Sequence, residues 1–305
     1  MSLVERLAQS SLDELLPRLG VEEVDRGQIA ALVSRVVDDA ALVAEVERLT
    51  GLLMPFVGQW RDTWDRPGFT AADEREGLLD GGLPLCALLA TAVDVHAHHL
   101  ARGITAQISW ASLADLGQQV TKHRLVRGAT GLTQANWLRN VWAGDFIRLG
   151  RLQFELYTAD VGSGPQLVLN THIPGDGSMA PAAVSESLGA ASAFYAEHFA
   201  DQVGGGVEGG VDWLYCQSWL LDPVLVDLLP GSNIAAFAER WQVTGGVEKD
   251  RDAYYFVFNV EPDPALELPH GLDELPQRTS LERALVAHWR AGRHLVQAQG
   301  RIAAR

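Results

Sequence analysis

The hydrophobic pattern changes its period near residue 148, and that change constrains the fold more than any other feature of the chain. Before it, apolar residues recur at three- and four-residue spacing: Ile29, Leu32, Val33, Val36 and Val37, then Leu42, Val46, Leu49, Leu52 and Leu53. Such spacing keeps one stripe of a helix apolar. Leu83 to Leu100 is a further apolar helix, bounded by Gly81-Gly82 and Gly103, residues that punctuate helices. Ser109 to Leu116 reads as another helix start, with Ser112 and Asp115 available to cap it.

After residue 148 strand and helix patterns alternate. Leu152 to Tyr157 alternates apolar with polar residues, and Gln166 to Ile173 forms the next strand, ended by Pro174. Pro181 suits the first turn of an amphipathic helix over 182–199. Trp213 to Leu221 carries few polar residues, as a central strand does. Val224 to Leu229 and Asn233 to Trp241 read as helical pieces, and Tyr254 to Val260 as a strand by its aromatic and β-branched content. Thr279 and Glu282 stand at capping-box spacing before a last helix with Leu281, Leu285, His288 and Trp289 on one face. The expected class is α+β: an all-helical N-terminal domain over residues 1–145, then a mixed α/β sheet domain over 146–305. Strands 166–173 and 213–221 should lie parallel and adjacent, joined by the helix between them.

Composition narrows the function. A net charge of −15 over 305 residues argues against nucleic acid or anionic lipid as a partner. Cys86 and Cys216 make neither a disulfide framework nor a zinc site. The start MSLVERLAQSSLDELL has no basic region followed by an apolar one, and the run Leu83 to Val95 is too short and interrupted to span a bilayer. A cytoplasmic protein with no membrane partner is expected. His96 and His99 could face one ion from a helix, but only Asp94 stands nearby as a further ligand, so no metal is expected. Lys122, His123, Arg124, Arg127 and Arg139 are too few, on an acidic chain, to argue for DNA binding.

Two places could carry chemistry. In the stretch Cys216-Gln217-Ser218-Trp219-Leu220-Leu221-Asp222-Pro223, a thiol and a hydroxyl two positions apart share one face of a strand. Cys216 is either a nucleophile or a small buried hydrophobe. Ser218 either meets a ligand or satisfies nearby backbone, and Asp222-Pro223 suits the start of a helix. His172 ends a strand just before the loop Pro174-Gly175-Asp176-Gly177-Ser178-Met179, at the strand end where open α/β sheets place ligands. Its imidazole could accept a proton near neutral pH, or it could simply order the loop. Glu155 and Tyr157, on the preceding strand, are further proton-transfer candidates. The catalytic candidates are thus His172, Ser218, Cys216 and Glu155.

The runs Gly150-Arg151-Leu152-Gln153-Phe154-Glu155 and His172-Ile173-Pro174, then Ser187, Phe194, His198-Phe199, Cys216, Ser218 to Pro223, Ser232-Asn233-Ile234 and Leu275-Pro276, resemble a bacterial family of two-domain acyltransferases. The resemblance covers most of 140–300 and is diffuse over 1–140. It implies a helical N-terminal domain and a GNAT-like N-acyltransferase domain. It further implies an acyl-coenzyme A co-substrate, with acetyl-coenzyme A expected, and an amine acceptor on a small molecule or peptide. In such a fold the loop after one strand holds the pyrophosphate at a helix N-terminus, and the pantetheine arm lies where the next strand splays away. Here that assigns Ile173, Gly175, Gly177 and Ser178 to cofactor binding. Tyr157, Tyr195, Tyr215, Tyr254 and Tyr255 are the candidates for protonating the leaving thiolate. The usual loop signature (Gln or Arg, two residues, Gly, one residue, Gly or Ala) is absent, and Asp176 is ill placed beside phosphate. A non-catalytic GNAT-like binding or regulatory protein is the alternative.

Overall fold

The computed structural model describes residues 2–59, 67–162, 164–203, 211–261 and 271–304, and the chain forms two compact units, Met1–Arg148 and Leu149–Arg305. In the first unit no described residue before Ile147 lies in a strand. Helix Gly82–Ala101 forms its centre, burying Leu83, Leu85, Cys86, Leu88, Leu89 and Val95. Helix Glu23–Val37 contributes Ile29, Leu32, Val33 and Val36 to the same core, and helix Ala40–Leu53 contributes Val46, Leu49 and Leu53. Asp39 caps the second of these by accepting from the amides of Ala41 and Leu42.

Two sequence readings need correction here. Helix Gly82–Ala101 runs for 20 residues and is long and apolar enough, by length and composition, to cross a membrane. Counting from Leu83 to Val95 understated it, because His96 and Ala97 continue the helix; 67% of its most apolar window is buried in the protein. Nor does Ser112 cap a helix. The helix is Ala106–Leu113, capped by Thr105, and the Ser112 hydroxyl donates back to the Ile108 carbonyl at 2.8 Å.

The second unit is built on one sheet. Its strands are β1 (Ile147–Leu149), β2 (Leu152–Asp160), β3 (Pro165–His172), β4 (Trp213–Ser218), β5 (Gln242–Glu248) and β6 (Val296–Ala303), in the order β1-β2-β3-β4-β6-β5. β2 and β3 form an antiparallel hairpin. β3 and β4 are parallel neighbours, as expected, with helix Pro181–His198 between them in the chain. That helix is tied to β2: Ser187 Oγ accepts from the amide of Arg151 at 2.8 Å, and Tyr195 donates to the Phe154 carbonyl.

The segment expected as a strand over 254–260 is instead helix Arg251–Phe258, with Ala253, Tyr254, Tyr255 and Phe258 buried. The spacing 254 to 258 is one helical turn, and it overrides the β preference of aromatic residues, which reflects packing context. β4 ends at Ser218, and Trp219–Leu221 is a 3₁₀ turn. Beyond it, Asp222 receives the Val224 amide on Oδ1 at 2.9 Å and the Val296 amide on Oδ2 at 2.6 Å. The carboxylate thus holds the first amide of helix Val224–Leu228, whose N-cap is Pro223, and also the first amide of β6. β5 and β6 were not legible in the sequence: every residue of β5 is exposed, so no inward-outward alternation marks it.

Candidate active site

The register of three strands builds the site. β2 and β3 pair Gln153 with His172, Glu155 with Asn170, and Tyr157 with Val168. β3 and β4 pair Asn170 with Tyr215. Residues opposite one another in neighbouring strands share a face, and side chains alternate along each strand. One face therefore carries Gln153, Glu155 and Tyr157 beside Asn170, His172 and Tyr215. The other carries Phe154, Leu156, Leu169, Thr171, Leu214, Cys216 and Ser218.

On the first face the His172 ring donates from Nε2 to Glu155 Oε1 at 2.8 Å, because a carboxylate can only accept. The Asn170 amide donates to the same oxygen at 3.0 Å. These two bonds hold the carboxylate; Asn170 Nδ2 also lies 3.1 Å from His172 Nε2, and a proton on Nε2 given to Glu155 puts the ring's lone pair on Nδ1. Glu155 is buried, with 6% of its side chain accessible, whereas His172 keeps 20%. A buried carboxylate behind a partly open imidazole can offset the positive charge that forms when the ring takes a proton. Further along this face Tyr157 and Tyr215 lie with ring centroids 6.2 Å apart. Burial, then the neighbouring Tyr157, pushes the Tyr215 phenol up to about 12, so it keeps its proton at neutral pH.

Among the described residues the parallel pairing of β3 with β4 covers Leu169↔Leu214 and Asn170↔Tyr215, while β3 continues to His172 and β4 to Ser218. The pairing of the two strands ends at Asn170, and His172 lies two residues beyond it. The chain then enters the loop 174–180. Arg151 braces it from behind, donating from Nη2 to the Pro174 carbonyl at 3.0 Å and from Nε to the Ser178 carbonyl at 3.1 Å. Gly177 has φ +77°, a conformation that favours glycine, and a Cβ built on Gly175 would meet nothing within 4 Å. Ser178 is exposed and Ile173 half-buried. Helix Pro181–His198 starts with no side-chain cap, which leaves its first amides to solvent or an anion. Arg240 sits on that first turn, donating to Ser185 Oγ at 2.8 Å and to the Pro181 carbonyl at 3.0 Å.

Alternation separates the expected catalytic residues. Cys216 is 1% exposed on the opposite face from His172, and burial pushes its thiol well above the ordinary range. It packs as a small hydrophobe. Ser218 Oγ accepts from the Leu220 amide at 3.1 Å and caps the 3₁₀ turn. Of the five tyrosines, Tyr195 is spent on the Phe154 carbonyl, and Tyr254 and Tyr255 lie in helix Arg251–Phe258. Tyr157 and Tyr215 are the pair on the His172 face. Asn170 and Gln153 were missed as members of this face. The signal was present: polar residues at 153 and 155, and again at 170 and 172, recur with period two.

The histidine run of the first unit is structural. His99 Nε2 donates to the Gly144 carbonyl at 3.1 Å, its Nδ1 accepts the Ser109 hydroxyl at 2.8 Å, and Ser109 Oγ in turn accepts from His96 Nδ1 at 2.8 Å. Burial is the largest cause that drives the His99 pKa down to about 3. Among the described residues no group of three or more His, Cys, Asp or Glu side chains is placed to hold a metal.

The fold and this face define a GNAT-like acyltransferase domain. The family model for the GNAT-like C-terminal domain matches residues 146–302, and that for the N-acyltransferase N-terminal domain matches residues 10–144. The chain belongs to this family of two-domain N-acyltransferases. It is similar to a solved acyltransferase in complex with decanoyl-CoA and teicoplanin, with a TM-score of 0.82 and 32% identity over 97% of this chain and 88% of that one. An acyltransferase mutant in complex with octanoyl-CoA matches with a TM-score of 0.81 and 32% identity, over 96% of this chain and 88% of that one. A structure in complex with decanoyl-CoA gives 0.80 and 30%, over the same shares. A search of curated proteins returns no match.

Proposed function

We propose that this protein transfers an acyl group from acyl-coenzyme A to an amine, with His172 as the general base. The observation that carries the reading is the Glu155–His172 pair, held at 2.8 Å just past the end of the β3–β4 pairing and immediately before the glycine loop. The pyrophosphate would meet the amides of Gly175 to Ser178 and the uncapped first turn of helix Pro181–His198, attracted by its positive end. Arg240 adds a cation at that turn, which supports anion binding despite the absent loop signature and the presence of Asp176. The thioester would then lie in the strand gap. The acceptor amine attacks the thioester carbon, and its proton passes to His172 Nδ1 while Glu155 offsets the imidazolium charge. Collapse of the tetrahedral intermediate breaks the C–S bond, and the coenzyme A thiolate takes a proton, for which Tyr215, opposite Asn170 on this face, is the candidate phenol.

Similar structures hold decanoyl-CoA, octanoyl-CoA and teicoplanin, which supports a medium-chain donor over acetyl-coenzyme A and an amine-bearing small molecule or glycopeptide as acceptor. The test incubates the purified protein with acetyl-, octanoyl- or decanoyl-CoA and a panel of amine acceptors that includes amine-bearing glycopeptides. Free coenzyme A thiol is measured with and without acceptor. Acceptor-dependent release, lost in His172→Ala, is expected. Tight binding of decanoyl-CoA by calorimetry with no acceptor-dependent release across the panel would instead favour a GNAT-like binding protein.

A further inference from the structure

Gln153 lies on β2 directly opposite His172 on β3. Opposite residues of an antiparallel pair have their Cβ atoms about 4.5–5.5 Å apart on a shared face. Gln153 is 2% exposed, and its Nε2 has no hydrogen-bond partner. A buried amide donor left unmade is uncommon and calls for a reason, since bulk water cannot reach it. The acceptor beside it is already taken: Glu155 Oε1 receives Asn170 Nδ2 at 3.0 Å and His172 Nε2 at 2.8 Å, and Asn170 Nδ2 also lies 3.1 Å from His172 Nε2. An amide N–H therefore stands unused beside the ring that would take the acceptor's proton.

We infer that Gln153 donates from Nε2 to the thioester oxygen of bound acyl-coenzyme A and stabilises the oxyanion formed there; this rests on the acyltransferase reading above. The chemistry fixes why the donor is needed at this spot. When an amine whose proton goes to His172 attacks a carbonyl, the carbon lies a bond length from that nitrogen. Its oxygen then falls within a few ångströms of the base. As the C–N bond forms, the C=O π electrons move onto that oxygen, and they return when the C–S bond breaks and the thiolate leaves. A preorganised donor in a site closed to water acts most strongly on charge that appears only in this intermediate.

Gln153→Met keeps the length of the side chain and removes the N–H. Its turnover of decanoyl-CoA should fall about 10²–10³-fold, the usual effect of deleting one oxyanion donor. The Kd for decanoyl-CoA should stay within about threefold, because the missing interaction belongs to the transition state. Thermal stability should hold or rise, since an unsatisfied buried donor is lost. Infrared difference spectra with decanoyl-CoA labelled at the thioester carbonyl supply a signature that a packing role would not move. The bound carbonyl band should lie below that of free decanoyl-CoA in the wild type and return toward it in Gln153→Met. Gln153→Glu, which keeps the shape but offers an acceptor, should lose the band shift as well and covers the case in which the Met variant does not fold. Wild-type turnover with an unimpaired Gln153→Met, or an unshifted band in the wild type, overturns the role of Gln153 alone. A wild type that neither binds nor turns over decanoyl-CoA or octanoyl-CoA overturns the acyltransferase reading beneath it.

Discussion

His99 in the first unit and His172 in the second are both held by ring hydrogen bonds, to partners of opposite kind. His99 gives Nε2–H to a carbonyl and takes a hydroxyl proton on Nδ1, and neither partner can balance a charge. Burial then holds it neutral, with a pKa of about 3. His172 gives its Nε2–H to a carboxylate and keeps a fifth of its side chain accessible. The difference teaches that the partner's charge and the ring's access decide what a histidine can do. The conspicuous run His96-Ala97-His98-His99 supplies packing, while the isolated His172 is the one paired with a carboxylate, the arrangement the proposed proton transfer uses.

The largest expected effect follows from that contrast. His172→Ala should lower kcat about 10²–10⁴-fold, the usual range for a general base, with the Kd for decanoyl-CoA within about threefold by calorimetry. Full activity in the variant would erase the functional half of the comparison. Glu155→Gln sharpens it. An amide can donate to Nε2, pushing the ring's proton to Nδ1 and removing the lone pair that the proposed step uses. A loss of about 100-fold in kcat is expected, measured by thiol release, without a matching rise in KM.

The legible and illegible parts of this site have different physical origins. The hairpin of β2 and β3 announces itself because one face of each strand is apolar, as Phe154, Leu156 and Leu169 show. Helix Pro181–His198 is readable for the parallel reason, with its starting proline in place. β5 has no buried residue to mark it, and the aromatic run at 254–258 fits a buried strand or a buried helix equally well. Within the site, His172 and the glycine loop are visible as local patterns. The pairing of Gln153 with His172, and the separation of Cys216 and Ser218 onto the other face, depend on register between strands. Register is a relation between distant segments, and no single stretch of residues contains it.

A smaller effect tests the His99 side. The unfolded chain protonates this histidine near its ordinary value of 6.5, whereas the folded chain holds out to about 3. The unfolded state therefore binds more protons between those values. The stability is fully present above pH 6.5 and is lost as pH falls through the window toward 3. Between pH 6.5 and 5 the loss should be about 2 kcal/mol. His99→Gln should flatten that stretch of a denaturant-derived stability–pH curve, while His172→Gln leaves the slope from His99 in place. An unchanged slope in His99→Gln would show that the ring is not the group that resists protonation.

The smallest expected effect on activity belongs to Cys216. It pairs across the sheet with Gly300 and is 1% exposed. A Cβ added at Gly300 would come within 2.9 Å of Leu221 and 3.0 Å of Trp241, so this layer is tightly filled. Burial raises the thiol's pKa, which keeps it protonated at neutral pH, and a protonated thiol is a poor nucleophile. Strand alternation also turns it away from the face of His172, so the Glu155–His172 pair is not placed to remove the proton. Cys216→Ala should therefore leave kcat within about threefold and cost about 1 kcal/mol of stability through the small cavity it opens. Cys216→Ser should cost more stability than Cys216→Ala, because a hydroxyl placed there needs a partner, yet should also leave kcat intact. The folded protein should resist alkylation by iodoacetamide at this position. A Cys216→Ala variant that folds but loses turnover would put the reacting thioester on the opposite side of the sheet from Glu155 and His172.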